Sequence, residues 1–185
     1  FRSVVNELML VKGKSLERII QAQTLNSHSK LAGNLAKLSA VHYIAELVLC
    51  IGLSEQPQLE LYKLLLEYLD LIESTEVEQL LITHLTTMLF KLLTIAGIAP
   101  SVDRCCLSQE PLVIDPKRLD QYLGFSFADG GIVKIGANEA TFEAKLGSVE
   151  LSLLQYLGNS QLPKPELGNL YPTWYKIEQI LREYA

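Results

Sequence analysis

The chain reads as mainly α: a helical bundle with a small zinc-ribbon-like insertion lacking zinc ligands, preceded by the last strands of a β domain, hence α+β overall. Three observations carry this. The first two dozen residues are β-branched and partly alternating; apolar residues then recur every three or four positions from Leu31 to Ala96; and after Gly97 the pattern breaks into short turn-and-strand pieces before helical spacing returns.

Taken in order, Val4 to Val11 predicts a strand, Lys12-Gly13-Lys14 a turn, and Leu16 to Ala22 a second strand, together a hairpin. Two strands are marginal in water, so the hairpin is expected to belong to a larger sheet, with the chain beginning in the middle of a β domain. Leu31, Leu35, Leu38, Val41, Ala45, Val48 and Leu49 form the stripe of a first helix, and Gly52 and Pro57 bracket a gap. Leu61, Leu64, Leu65, Tyr68, Leu69 and Ile72 repeat the stripe with acids on the other side. A third helix, from about Thr75 to Ala96, is apolar nearly all round, as expected of a helix in the middle of a bundle. Gly97 with Pro100 close behind is a strong helix stop. Pro111 to Pro116, Gly124 to Gly131 and Ile132 to Ile135 read as insertion fragments. Ser148 is placed to cap a helix from Val149 to Leu157, and Gly158 to Tyr171 forms a linker. A last helix, Pro172 to Tyr184, aligns Trp174, Ile177, Leu181 and Tyr184 on one face.

A chain of 185 residues with 49% hydrophobic and 20% charged residues belongs among ordinary globular proteins. Three cysteines without repeating spacing argue for a reducing compartment rather than a disulfide scaffold. The opening residues predict no secretory leader. Leu80 to Ala99, broken by His84, threonines and Lys91, reads as a buried helix rather than a membrane span. Charge is distributed unevenly. Residues 1–37 hold six bases and two acids, whereas the rest hold ten bases and nineteen acids. A basic front on an acidic body predicts that a polyanion would touch the front.

Enzyme chemistry finds little support in the residues. Cys105 and Cys106 are adjacent, so their side chains diverge, and Ser108 occupies the place where a Cys-x-x-Cys zinc knuckle would have its second thiol. The positions spaced for a second ligand pair hold Lys134 and Ala137, so no metal is expected. Cys50 reads as a small core residue of the first helix. His28 is expected at the surface, with His42 and His84 packed between helices and no orienting carboxylate pattern for a thiol nucleophile. The glycines follow no phosphate-binding pattern. Eight acids between residues 46 and 78 look like solvated helix faces. Trp174, Tyr171 and Tyr175 are expected in the core or against the linker.

Binding chemistry fares better. Arg2, Lys12, Lys14 and Arg18 cluster on the expected hairpin, with Lys30 and Lys37 one or two turns into the helical region. Bases on a strand and its loops make an electrostatic track for a phosphate backbone. Phe1 is the only aromatic before Tyr43, which favours backbone contact over base stacking. These six residues are the expected nucleic-acid contacts.

Four stretches resemble the RecO family of recombination mediators, in particular its cyanobacterial members. They are Val5 to Ala22, Ala45 to Pro57, Ala96 to Pro100 with Cys105 to Leu112, and Trp174 to Ala185, in the family's order. The resemblance implies that residues 1–24 are the C-terminal part of an OB-fold β-barrel. Residues 25–185 would form a helical domain with its insertion at about 100–147. It implies no catalysis and no cofactor. It further implies binding of single- and double-stranded DNA and annealing of complementary strands. Implied partners are RecR and the C-terminal tail of single-stranded DNA-binding protein, with RecA helped onto coated DNA, in the nucleoid-associated cytoplasm and away from membranes. Two departures stand out: the zinc ligands are missing at Ser108, Lys134 and Ala137, and the chain stops at Ala185 where the family's last helix continues into a basic tail. The runner-up reading is a helical protein-interaction scaffold that does not bind DNA.

Overall fold

The computed structural model describes residues 4–13, 16–53, 56–113, 122–135, 141–159 and 170–185. The chain opens with an antiparallel ribbon of β1 (Val4–Val11) and β2 (Arg18–Ser27). β2 runs five residues beyond the strand expected from the pattern, because its polar end finds partners across the ribbon: Thr24 Oγ1 donates to Asn6 Oδ1 at 3.0 Å. Two register shifts, between Val5 and Asn6 and between Met9 and Leu10, mark bulges. Among the described residues the two strands pair only with each other.

A short 3-10 turn, Ser29–Gly33, leads into α1 (Leu35–Ile51). Asn34 caps it, its side-chain oxygen accepting from Lys37 N at 3.0 Å. α2 (Leu59–Ser74) and α3 (Gln79–Ile95) complete the three-helix core expected from the stripes. α3 is the shared element. Leu81, Met88 and Leu92 pack with α1 and α2, while Leu89, Phe90 and Leu93 join a second core built from the insertion and the last helices. This is why its sequence is apolar all round. Its buried threonines are tolerated because Thr86 and Thr87 donate to carbonyls one turn back, each at 2.7 Å. α3 ends as predicted: Gly97 has φ +76°, and Ile98 N donates to Leu93 O at 2.9 Å, the six-to-one bond of a Schellman stop.

The insertion is more regular than its sequence suggests. β3 (Leu123–Ser126) lies between β4 (Gly131–Lys134) and β5 (Ala144–Leu146) in an antiparallel sheet. Ser126 Oγ and Asp129 Oδ2, 2.7 Å apart, close the turn between β3 and β4. α4 (Ser148–Gly158) and α5 (Tyr171–Tyr184) then pack on the sheet and on α3. The N-cap of α4 is Gly147, not Ser148. Glu150, three residues on, accepts from Gly147 N at 3.1 Å, and Ser148 begins the helix instead of capping it. Trp174, Ile177 and Leu181 are fully buried as predicted, and the Tyr184 ring packs edge-on to Phe125 at 5.6 Å. Tyr171 and Tyr175 are exposed instead: they fall on the solvent side of α5. The expected linker falls largely at residues 160–169, outside the described residues. Among the described residues, no helix is long and apolar enough to cross a membrane.

Candidate nucleic-acid interface

The ribbon stands clear of the helical body. All ten residues of β2 are exposed, and so are residues 6–11 of β1. Val11 pairs with Arg18 and Lys12 follows Val11, so Lys12 and Arg18 both lie at the far end of the ribbon. Both are exposed and neither forms an ion pair among the described residues; Glu17 beside Arg18 is the acid at this end. Arg2 and Lys14 lie outside the described residues.

Lys30 and Lys37 belong to a different place. The ribbon's other end pairs Val4 with Ser27, so at ~3.3 Å per residue the two ends are about 23 Å apart. That exceeds the screening length at physiological salt, so charges at the two ends act separately. At the base, Lys30 N donates to Glu73 Oε1 at 3.0 Å, and the Lys37 ammonium donates to Glu73 O at 2.7 Å. Lys37 is half-buried and neutralises the carbonyl end of α2, where a cation is favoured. The six expected contacts are therefore not one track. Lys12 and Arg18 are together and open, Lys30 is open but distant, and Lys37 is committed to a helix terminus.

Sequence reasoning missed what fixes the ribbon to the body. His28, expected at the surface, is 1% exposed. Its Nε2 donates to Asp70 Oδ1 on α2 at 2.9 Å, and the Asn26 amide reaches the same oxygen at 3.4 Å. His28 Nδ1 is buried without a hydrogen-bond partner. The one signal in the sequence was Asp70 among helix acids, and it does not distinguish a buried junction from a solvated face. His42, expected between helices, is exposed, while His84 is buried as expected, and burial lowers it to about 4.

The insertion shows what stands where zinc ligands would be. The turn from Cys105 to Ser108 folds back on the Cys105 sulfur. Burial opposes the thiolate, but the Ser108 hydroxyl and the backbone N–H groups of Ser108, Lys134 and Leu107 outweigh it and bring the thiol down to about 7. The Lys134 N–H lies 3.4 Å from Sγ, and the Lys134 ammonium pairs with Glu110 at 2.5 Å. Positions 108 and 134 thus meet at the sulfur as donors of hydrogen bonds. Ala137 lies outside the described residues, and among those described no cluster of three metal-binding side chains occurs. Packing holds the insertion: Cys105, Val102 and Leu112 are buried with β3 and β4, and Gln155 of α4 donates to Val102 O at 3.2 Å and Leu112 O at 3.1 Å. Cys50, expected in the core, is exposed, because with Leu49, 80% exposed, it falls on the outer side of α1, while Val48 and Ile51 of the same turn pack on the core.

Comparison with known proteins agrees with this architecture. The family model described as recombination protein O, C terminal, matches residues 32–185. The protein named DNA repair protein RecO from Gloeothece citriformis (strain PCC 7424) is 43% identical over 208 aligned positions, covering 98% of this chain and 73% of the relative. Those of the same name from Nostoc sp. (strain PCC 7120) and Trichodesmium erythraeum (strain IMS101) are each 39% identical, over 98% of this chain and 73% and 70% of their own lengths.

Proposed function

The chain belongs to the RecO family of DNA repair proteins, and from that premise we propose that it is a DNA-binding recombination mediator that grips phosphate backbones with its ribbon. The observation supporting this most directly is that Lys12 and Arg18 lie at the same end of an exposed strand pair, with no ion pair to an acid among the described residues. Lys14 follows Lys12 in sequence, and Arg2 and Lys30 are further proposed contacts. The absence of aromatic residues from β1 and β2 favours backbone contact over base stacking. The ribbon is best read as the last strands of an OB-fold barrel. Leu8, Met9, Leu10, Ile19, Ile20 and Leu25 are all about half exposed or more, and a two-stranded ribbon gains little stability without cover.

On this reading the protein binds single- and double-stranded DNA and anneals complementary strands without breaking or forming covalent bonds. It assists RecA on DNA coated by single-stranded DNA-binding protein. RecR and the C-terminal tail of that binding protein are its proposed partners, and the nucleoid-associated cytoplasm its proposed location. The test is fluorescence anisotropy with a labelled oligonucleotide across a salt series. Neutralising Lys12, Lys14 and Arg18 together to Gln should weaken binding and flatten the salt dependence by about 0.7 in log–log slope per lost contact on single strands. An unchanged slope would remove the ribbon from the interface. The acidic face of α2, with Glu67, Asp70 and Glu73, favours the scaffold as a second reading, and no binding at any salt by the wild-type chain would select it.

A further inference from the structure

Between the N-terminal halves of α1 and α3 and the solvent-facing side of α5 runs an open groove of about 650 Å³. Its α1 side is made largely of small residues, Ala36, Ser39 and Ala40, which leave the space beside them unfilled. Leu81, Ile82 and Leu85 of α3 form an apolar wall. A groove of this size lined only by aliphatic residues would take any apolar chain, but this one has a polar end.

Glu178 lies there, 6% exposed, and it is the one carboxylate among the described residues with so little access to water. Its nearest cation is Arg182, whose Nε is 3.6 Å from Oε1, a loose ion pair one turn along α5. Tyr43 Oη also lines the groove, buried beside the Glu178 carboxylate, to which its hydroxyl donates. Burial and the neighbouring Glu178 charge push that phenol upward, so it stays protonated and its oxygen lone pairs are open to a donor. A buried carboxylate whose donors are one tyrosine hydroxyl and a loose arginine still has acceptor sites to fill, as has the hydroxyl oxygen beside it, and leaving them empty is costly. At the mouth Glu78 adds a second acid, its Oε1 accepting from Asn34 at 3.2 Å. Two acids against one arginine repel phosphate and attract a cation.

We propose that this groove receives a lysine or arginine side chain from a partner protein, its aliphatic stem along Leu81, Ile82 and Leu85 and its charged head on Glu178 and Tyr43. The arrangement matches how long cationic side chains bury: methylenes against apolar surface, the head on acceptors. An exposed Tyr171 at the edge offers a ring face to the same cation. The surface is remote in composition from the basic ribbon, so one molecule could hold a polyanion and a basic peptide at once.

The test uses the full chain, isotopically labelled for NMR, titrated with the blocked pentapeptide Gly-Leu-Lys-Leu-Gly and with its counterpart carrying norleucine in place of lysine. The lysine peptide should shift resonances of Ser39, Tyr43, Leu85 and Glu178, with at least fivefold tighter binding than the norleucine peptide. Ser39→Trp plugs the groove's open edge without altering charge and should abolish the shifts. Glu178→Gln should weaken lysine-peptide binding at least fivefold, and Tyr43→Phe, which keeps the ring and its packing, should weaken it should Glu178→Gln fail to fold. Glu183→Gln, an exposed acid on the same helix away from the groove, should leave it unchanged. Equal binding of the two peptides, or shifts that survive Ser39→Trp, would overturn the proposal, the second result pointing to loose attraction to the acidic surface. Concentration-dependent shifts at these residues without peptide would overturn it in favour of self-association.

Discussion

His28 Nε2 lies 2.9 Å from Asp70 Oδ1, forty-two residues along the chain, and this contact ties the base of the ribbon to the second helix. The two partners are unequal: the histidine side chain is fully buried, whereas the aspartate is 65% exposed. An exposed acid contributes little as a surface charge, yet it satisfies a donor that has no access to water. Asp70→Ala should therefore cost about 1–3 kcal/mol in urea unfolding, more than an exposed helix acid would. Glu60→Ala, on the first turn of the same helix, provides the comparison and should cost under about 0.5 kcal/mol. Equal small effects for both would mean that water replaces Asp70 without penalty.

That junction also shows why the site was only half legible in the sequence. Helix stripes, the all-round apolar α3 and the Gly97 stop are local signals, set by spacing within one element, and each appears close to where the spacing puts it. Leu35 and Leu49 of the first stripe are nevertheless exposed, and α3 starts at Gln79 rather than near Thr75. The burial of His28 and the commitment of Lys37 to Glu73 O depend on partners 36 or more residues away, and the exposure of Cys50 on which side of α1 its neighbours cover. Spacing carries no information about those. The insertion sheet escaped for another reason: its strands are only three or four residues long, too short for alternation to register.

Lys37 and Lys12 should separate in their effects. The Lys37 ammonium donates to Glu73 O, so Lys37→Gln removes a charge-assisted bond at a helix terminus and should lower stability by about 0.5–1.5 kcal/mol. It should leave the salt dependence of DNA binding where it was. Lys12→Gln should do the reverse, with unfolding unchanged and the slope reduced. A single experiment pair, thermal unfolding and anisotropy, reads both. Should Lys37→Gln flatten the slope as much as Lys12→Gln, the base of the ribbon would be part of the DNA track after all.

Gly131 is the position on which the insertion depends most closely. Its φ is +152°, and a Cβ there would meet Ser101 O at 2.4 Å and Ser101 N at 2.6 Å. The contact is a β-bridge: Ser101 N donates to Gly130 O at 2.9 Å, and Ile132 N to Ser101 O at 3.0 Å. Backbone cannot yield as a flexible side-chain end can, so Gly131→Ala must separate the strand from the loop that carries Cys105. A loss of about 2–4 kcal/mol in thermal or urea unfolding is expected, since strain and lost bridge bonds act together. Gly33→Ala, with open space at its Cβ and no left-handed backbone, should change stability by less than about 1 kcal/mol.

Two buried groups set the pH dependence, and both act in the same direction. His84 is lowered from 6.5 to about 4 by burial in α3, so the unfolded chain binds a proton between those values that the folded chain refuses. Stability is held above pH 6.5 and falls as pH drops toward 4. Cys105 is lowered from 9.0 to about 7, burial being outweighed by the hydrogen bonds from Ser108, Lys134 and Leu107, so stability gained above pH 9 declines as pH falls through 7. The His84 shift corresponds to roughly 3 kcal/mol across its window. Urea unfolding from pH 4 to 9 should show stability rising in two adjoining segments, the lower set by His84 and the upper by Cys105. Ser108→Ala removes the hydroxyl donor and should weaken the upper segment while leaving the lower one. His84→Gln should flatten the lower segment alone, and loss of both segments in either variant would show that the two groups do not titrate independently.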